Sequence, residues 1–134
     1  MDGQPIETNR TVLILDDEPT IVSATARTLE SANYTVTTGT NAQEGLTLAA
    51  QREFALVLSD NIMPGMHGLE FLAILMKQSA RSRRILVTGY TDLNQALDAF
   101  NHGILHRYVQ KPWDRETLLG IVNEEWNLYA RAKA

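Results

Sequence analysis

Five short apolar runs punctuate the chain, at Val12–Leu15, Tyr34–Thr37, Ala55–Leu58, Ile85–Val87 and Tyr108–Val109. All are too short for helices, and four are rich in β-branched or aromatic residues, so they predict strands. Segments with helical spacing lie between and after them. Pro19–Asn33 opens with a proline suited to a first helical turn and sets Ile21, Val22, Leu29 and Ala32 on one face. Asn41–Gln51 starts with Asn41 and Glu44 at capping-box spacing and carries Ala42, Leu46 and Ala49 along one side. Gly68–Gln78 aligns Leu69, Leu72, Ala73 and Met76, while Phe71, Ile74 and Leu75 make the opposite side apolar too. Asp92–Asn101 predicts a short helix ended by Gly103. Asp114 to about Ala132 predicts the longest one, with Leu118, Leu119, Val122, Trp126 and Tyr129 as its inner stripe.

Strict alternation of strand and helix, with short connections, predicts a single five-stranded parallel sheet. Parallel neighbours need crossovers, and right-handed crossovers place helices on both faces. Ligands of open sheets of this kind bind outside the carboxyl ends of the strands, where the strand order reverses. Function should therefore be decided by the residues that follow each strand.

Composition narrows the class. A chain of 134 residues, 44% hydrophobic and 21% charged, can build one packed core, and residues 1–10, polar and without apolar period, read as a flexible lead-in to a domain over 11–132. The absence of cysteine removes disulfide scaffolds, thiolate metal sites and thiol nucleophiles. No apolar run approaches the roughly 20 residues of a membrane span, and the start lacks a signal-peptide core, so no membrane association and a cytoplasmic location are expected. A net charge of −4 argues against direct nucleic-acid binding, which draws its affinity from phosphate neutralisation by Lys and Arg.

The strand ends carry the chemistry. Asp16, Asp17 and Glu18 follow the first predicted strand, Asp60 the third, Thr88 the fourth and Lys111 the fifth. With strand order 2-1-3-4-5, the first and third strands are neighbours and Asp16, Asp17 and Asp60 share one crevice. Unit charges about 4 Å apart repel by roughly 4 kcal/mol at an effective dielectric near 20, so such a cluster must protonate, splay or bind a cation. An all-oxygen donor set with few protein ligands suits Mg²⁺, which keeps waters and accepts phosphate as a further ligand. Lys111 adds a positive charge and Thr88 a hydroxyl donor. The set fits a phosphoryl group carried on a carboxylate, with Asp60 as nucleophile.

These residues also match a family. The chain resembles the receiver domain of bacterial two-component response regulators through LILDDEP (Leu13 to Pro19), LSDNIMPGMHG (Leu58 to Gly68), LVTGY (Leu86 to Tyr90) and YVQKPW (Tyr108 to Trp113), in order and at successive strand ends. The resemblance implies a flavodoxin-like α/β fold. It implies that Asp60 takes a phosphoryl group from a sensor histidine kinase or phosphotransfer protein. Asp17, Asp60 and the main-chain carbonyl of Ile62 would ligate Mg²⁺, with Asp16 acting through water. Lys111 would pair with phosphoryl oxygens, Pro112 would follow a cis peptide, and Thr88 would bond the phosphate while Tyr108 changes rotamer in step. Gly89 and Tyr90 depart from the commoner Ala and variable residue after Thr88, and Gly103 to Tyr108 is one residue longer than the usual spacing. The TGYTD and HRYVQKPW pieces look most like receivers of hydrogenase-regulator-type transcription activators and of cyclic-dinucleotide phosphodiesterases.

Plainer readings compete residue by residue. An isolated Asp after a strand usually caps the next helix. Thr88 could be an ordinary strand residue, Lys111–Pro112 a solvated turn and Tyr108 simple packing. His67, His102 and His106 form no ligand pair and read as surface residues. Ile121 and Leu128, seven apart and outside the inner stripe of the last helix, are candidates for a partner surface. A weak or phosphorylation-enhanced homodimer through the fourth helix, fifth strand and fifth helix is the corresponding expectation. An effector domain would lie outside this stretch or act in trans. The rival functions are a phosphorylation-independent scaffold and an aspartyl-nucleophile phosphatase. The phosphatase class spaces its two acids one residue apart, whereas Asp16 and Asp17 are adjacent.

Overall fold

The structure, a computed structural model, describes residues 8–89 and 93–133. Five parallel strands, β1 (Thr11–Leu15), β2 (Thr35–Gly39), β3 (Leu56–Asp60), β4 (Arg83–Thr88) and β5 (Arg107–Gln110), lie in the order β2-β1-β3-β4-β5. They alternate with α1 (Pro19–Glu30), α2 (Ala42–Gln51), α3 (Gly68–Gln78), α4 (Leu93–Asn101) and α5 (Arg115–Lys133). This is the α/β, flavodoxin-like architecture predicted from the alternation. The order reverses between β1 and β3, which opens the crevice at their carboxyl ends.

Two cores flank the sheet. Val12, Ile14, Leu56, Leu58, Ile85, Val87 and Val109 meet Leu29 of α1 and Leu118, Val122 and Tyr129 of α5. Leu13, Leu15, Val57 and Leu86 point the other way, onto Ala42 of α2, Phe71, Leu72 and Leu75 of α3, and Ala96 and Ala99 of α4. Because β1 and β3 are covered on both faces, their residues are buried in unbroken runs rather than alternately.

Several expectations shift. The strands run past the apolar runs, since Asp60 and Thr88 continue their ladders before the chain turns away. In α1 the buried line is Thr25 and Leu29. Ile21 and Val22 are half-buried and Ala32 lies beyond the helix, whose exit is completed by Asn33 in the left-handed region (φ 71°). In α3 the deeply buried residues are Gly68, Phe71, Leu72 and Leu75, not the stripe through Leu69, Ala73 and Met76, which are half-buried. The helix packs on the sheet with Phe71 and Leu75 and leans Leu69 on the same core, which explains its apolar girth. Ile74 remains exposed. Asn41 caps α2 as expected, its side chain accepting from the Glu44 amide at 2.8 Å.

Of the lead-in, Asn9 and Arg10 are already fastened. Asn9 donates to the Glu53 carbonyl and to the Tyr129 hydroxyl, and Arg10 lies over the Tyr34 and Trp126 rings while donating to the carbonyls of Ala32 and Asn33. Residues 1–7, like Tyr90 and the expected helix start at Asp92, lie outside the described residues.

Candidate functional site

Each functional side chain sits where an apolar strand gives way to a loop. Asp16 directly follows β1, and its amide donates to the Gly39 carbonyl of neighbouring β2 at 3.2 Å. Its Oδ1 accepts from the Glu18 amide at 3.0 Å in a short Asp turn that exposes Asp17. Glu18 takes the N-cap position of α1 without a side-chain capping bond, so the acids do not serve as the helix cap weighed for them. Asp60 is the last residue of β3 and is only 9% exposed. One carboxylate oxygen from each of Asp16, Asp17 and Asp60 lies within 4.8 Å of the others.

Lys111 closes the cluster. Its Nζ donates to Asp60 Oδ1 at 3.1 Å and Asp16 Oδ2 at 3.2 Å, and the following Lys111–Pro112 peptide is cis. Burial pushes the Asp60 carboxyl above its ordinary value of 3.8, against the opposing pull of the Lys111 ammonium. Lys111 is raised above 10.5, because the bonds and charges of Asp60 and Asp16 outweigh its own desolvation. The site thus gathers three acidic side chains around one lysine. That surplus, on oxygen donors alone, fits a hard divalent cation such as Mg²⁺.

Thr88, wholly buried at the end of β4, turns its hydroxyl to the Gly89 carbonyl at 3.2 Å. Tyr108 pairs in register with Leu86, two residues before Thr88, so both side chains belong to the face covered by α4. Before β5, Gly103 adopts φ 76° and the Ile104 amide donates to the Ala99 carbonyl. Tyr108 is half-buried and lines, with Leu97, Phe100 and Arg107, a cavity of about 430 Å³. Ile62 is 55% exposed beside the acids.

Other residues fall elsewhere. Leu128 is exposed, but Ile121 is half-buried and leans on the α1/α5 core, which corrects its assignment to the outer flank. The α5 stripe is wide enough to take it in. His67 and His102 are exposed. His106 is not a surface residue: it is half-buried, its Nδ1 accepts from the Arg84 amide at 2.9 Å, and burial with the neighbouring Arg83 and Arg84 charges lowers its pKa to about 4.

Residue-by-residue reading passed over Gly68 and Asn61. A Cβ on Gly68 would stand 2.1 Å from the Asp60 carbonyl oxygen, so α3 can start against the acceptor only through glycine. Asn61, 1% exposed, accepts at Oδ1 from the Leu69 amide at 3.1 Å. A glycine as the first residue of a strongly apolar helix, where glycine has poor helix propensity, was the signal available for Gly68. A polar residue within the buried turn was the signal for Asn61.

The match to known proteins agrees with this geometry. Residues 12–123 match the family model described as the response regulator receiver domain. The chain is 32% identical over 114 residues to the hydrogenase transcriptional regulatory protein HoxA of Cupriavidus necator, covering 85% of this chain and 23% of that protein. It superposes on the signal receiver domain of an HD domain-containing protein from Pseudomonas fluorescens Pf-5 with a TM-score of 0.90 at 29% identity, over 99% of this chain and 98% of that one. The beryllofluoride-activated NtrC4 receiver domain dimer gives a TM-score of 0.83 at 26% identity, over 90% and 98% of the two chains. A five-stranded α/β switch-point fold with an acidic crevice thus defines a class of signalling module, and the chain belongs to the response regulator receiver domain family. It spans about a quarter of the HoxA length.

Proposed function

We propose that this receiver domain, taken as residues 11–132, accepts a phosphoryl group on Asp60 from the phosphohistidine of a sensor histidine kinase or phosphotransfer protein. The observation that carries this reading is the gathering of Asp16, Asp17 and Asp60 under the Lys111 ammonium. A carboxylate oxygen of Asp60 forms the new bond to phosphorus as the phosphorus–nitrogen bond breaks, and the imidazole leaves with its electron pair and takes up a proton. Asp60 must be ionised to attack. Lys111 bonds one Asp60 oxygen and has a third donor for the incoming group. Asp17, Asp60 and the Ile62 carbonyl would hold Mg²⁺, with Asp16 acting through water. When bound, the ion supplies charge neutralisation at the phosphoryl oxygens.

The module is a switch rather than a turnover enzyme, since the group stays on its own side chain until hydrolysis. Thr88 would give up its bond to the Gly89 carbonyl for a phosphoryl oxygen, and Tyr108 would follow on the same sheet face. Leu97 and Phe100, 44% and 49% exposed beside Tyr108, support a phosphorylation-enhanced homodimer through α4, β5 and α5. An effector domain in the longer protein or in trans would read that change in the cytoplasm. Among the described residues no helix is long and apolar enough to cross a membrane. The test is mass spectrometry after incubation with acetyl phosphate and Mg²⁺. The wild type should gain one phosphoryl group and Asp60→Asn none, and an equal gain in both would overturn the assignment.

A further inference from the structure

The residue after the acceptor, Asn61, is tied through its backbone carbonyl and both polar atoms of its side chain. Asn61 directly follows Asp60, the last residue of β3. Its carbonyl accepts from the Gly68 amide at 2.9 Å, and its side-chain Oδ1 accepts from the Leu69 amide at 3.1 Å. Of the two polar atoms of a carboxamide only the oxygen can accept, so this bond fixes the orientation of the Asn61 side chain and turns its nitrogen outward. That nitrogen donates to Oε1 of Gln95, in the first turn of α4, at 3.3 Å. Asn61 is 1% exposed and Gln95 is on the surface, so the bond runs from the floor of the site to the outside of the helix flanking Tyr108.

From this arrangement, and resting on the phosphoacceptor reading above, we infer that Asn61 is a positioning residue for Asp60. Through Gln95 it links the acceptor's placement to that of α4. The residue joined directly to Asp60 and fastened to the head of α3 is the one whose side chain grips α4. A movement of either end reaches the other through this one residue. The coupling is reciprocal: loading Asp60 shifts α4, and a partner that holds α4 alters the rate at which Asp60 is loaded. The Asn61–Gln95 bond is separate from the Thr88 and Tyr108 side chains, so the two connections can be tested apart.

The experiment compares wild type, Gln95→Ala, Gln95→Glu and Asn61→Leu, measuring amide hydrogen exchange of α4 with and without beryllofluoride and phosphoryl uptake from acetyl phosphate with Mg²⁺. Gln95→Ala, an exposed change, should reach the wild-type final extent of phosphorylation yet lose most of the beryllofluoride-induced change in α4 exchange. Gln95→Glu, which keeps the accepting oxygen, should restore it. Asn61→Leu should slow uptake by about tenfold, the scale of effect that sub-ångström misplacement of a reacting group produces. A phosphorylated Gln95→Ala protein whose α4 responds as in wild type overturns the link, as does failure of Gln95→Glu to restore the response. A wild type that gains no phosphoryl group overturns the underlying acceptor assignment instead.

Discussion

The Lys111 amide donates to the Thr88 carbonyl at 2.8 Å, where β5 leaves its ladder with β4. The residue that carries the site's ammonium and the residue that carries its hydroxyl are thereby held by one backbone bond. A displacement of the end of β4 would therefore draw the Lys111 backbone with it.

Asp60 lies above the ordinary carboxylate value because it is buried. Between that value and its raised folded one, the folded state binds more protons than the unfolded state. The group's contribution to stability is therefore fully present below the ordinary value and is lost as pH rises through the folded value. Once ionised, its charge opposes folding. Asp60→Asn, which keeps the shape, is expected to unfold in urea no earlier than wild type at pH 7. An earlier midpoint would show that the Lys111 bond outweighs desolvation.

Lys111 compensates two carboxylates at once. Lys111→Met should destabilise the metal-free protein by about 1–3 kcal/mol, the usual consequence of leaving buried polar groups unpaired. The same variant should bind Mg²⁺ more tightly, because the competing ammonium is gone, while phosphoryl uptake collapses. Calorimetric Mg²⁺ titration beside an acetyl phosphate assay separates the two effects, and weaker Mg²⁺ binding would contradict the account.

Gly68→Ala should be costly where Gly45→Ala is milder. The Cβ at position 68 would face the Asp60 backbone oxygen at 2.1 Å, whereas at position 45 the nearest atom, 2.4 Å away, is the Cδ1 of the Leu15 side chain, which can rotate. About 1–3 kcal/mol is the expected loss from overpacking at Gly68, with slower phosphoryl uptake because the acceptor strand must move. Thermal melts and uptake rates of the two variants check this.

His106 is held neutral down to about pH 4, accepting at Nδ1 from Arg84 with Arg83 nearby. Its folded pKa lies below the ordinary 6.5, so the unfolded state takes up the proton first. The stability it supports is complete above about pH 6.5 and drains away as pH falls toward 4. Urea midpoints at pH 7 and 4.5 should fall further in wild type than in His106→Gln, whose side-chain oxygen still accepts from Arg84 but cannot take up a proton.

Phe100 stands half-exposed on the α4 face beside Tyr108. Phe100→Asp is expected to abolish beryllofluoride-induced dimerisation in sedimentation velocity while leaving phosphoryl uptake intact. A dimer that persists would move the interface elsewhere, with the exposed Leu128 of α5 the next candidate.

The alternation of β-branched runs with helical segments was enough to establish the order of elements, because crossover geometry allows few sheets for such a pattern. The same chain order put Asp16, Asp17, Asp60, Thr88 and Lys111 at strand ends, and periodicity alone could carry the argument that far. Tertiary structure decided which side of a helix faces inward where both are apolar: α3 buries Phe71 and Leu75 because it packs on the sheet beside α2, which no single-helix period reveals. It leaned Ile121 on the core and set His106 against Arg84 near the Arg83 charge, since burial depends on what arrives from distant strands. It also gave Asn61 and Gly68 their roles, because a close approach between a helix start and the acceptor's carbonyl exists only after residues eight apart have been folded onto each other.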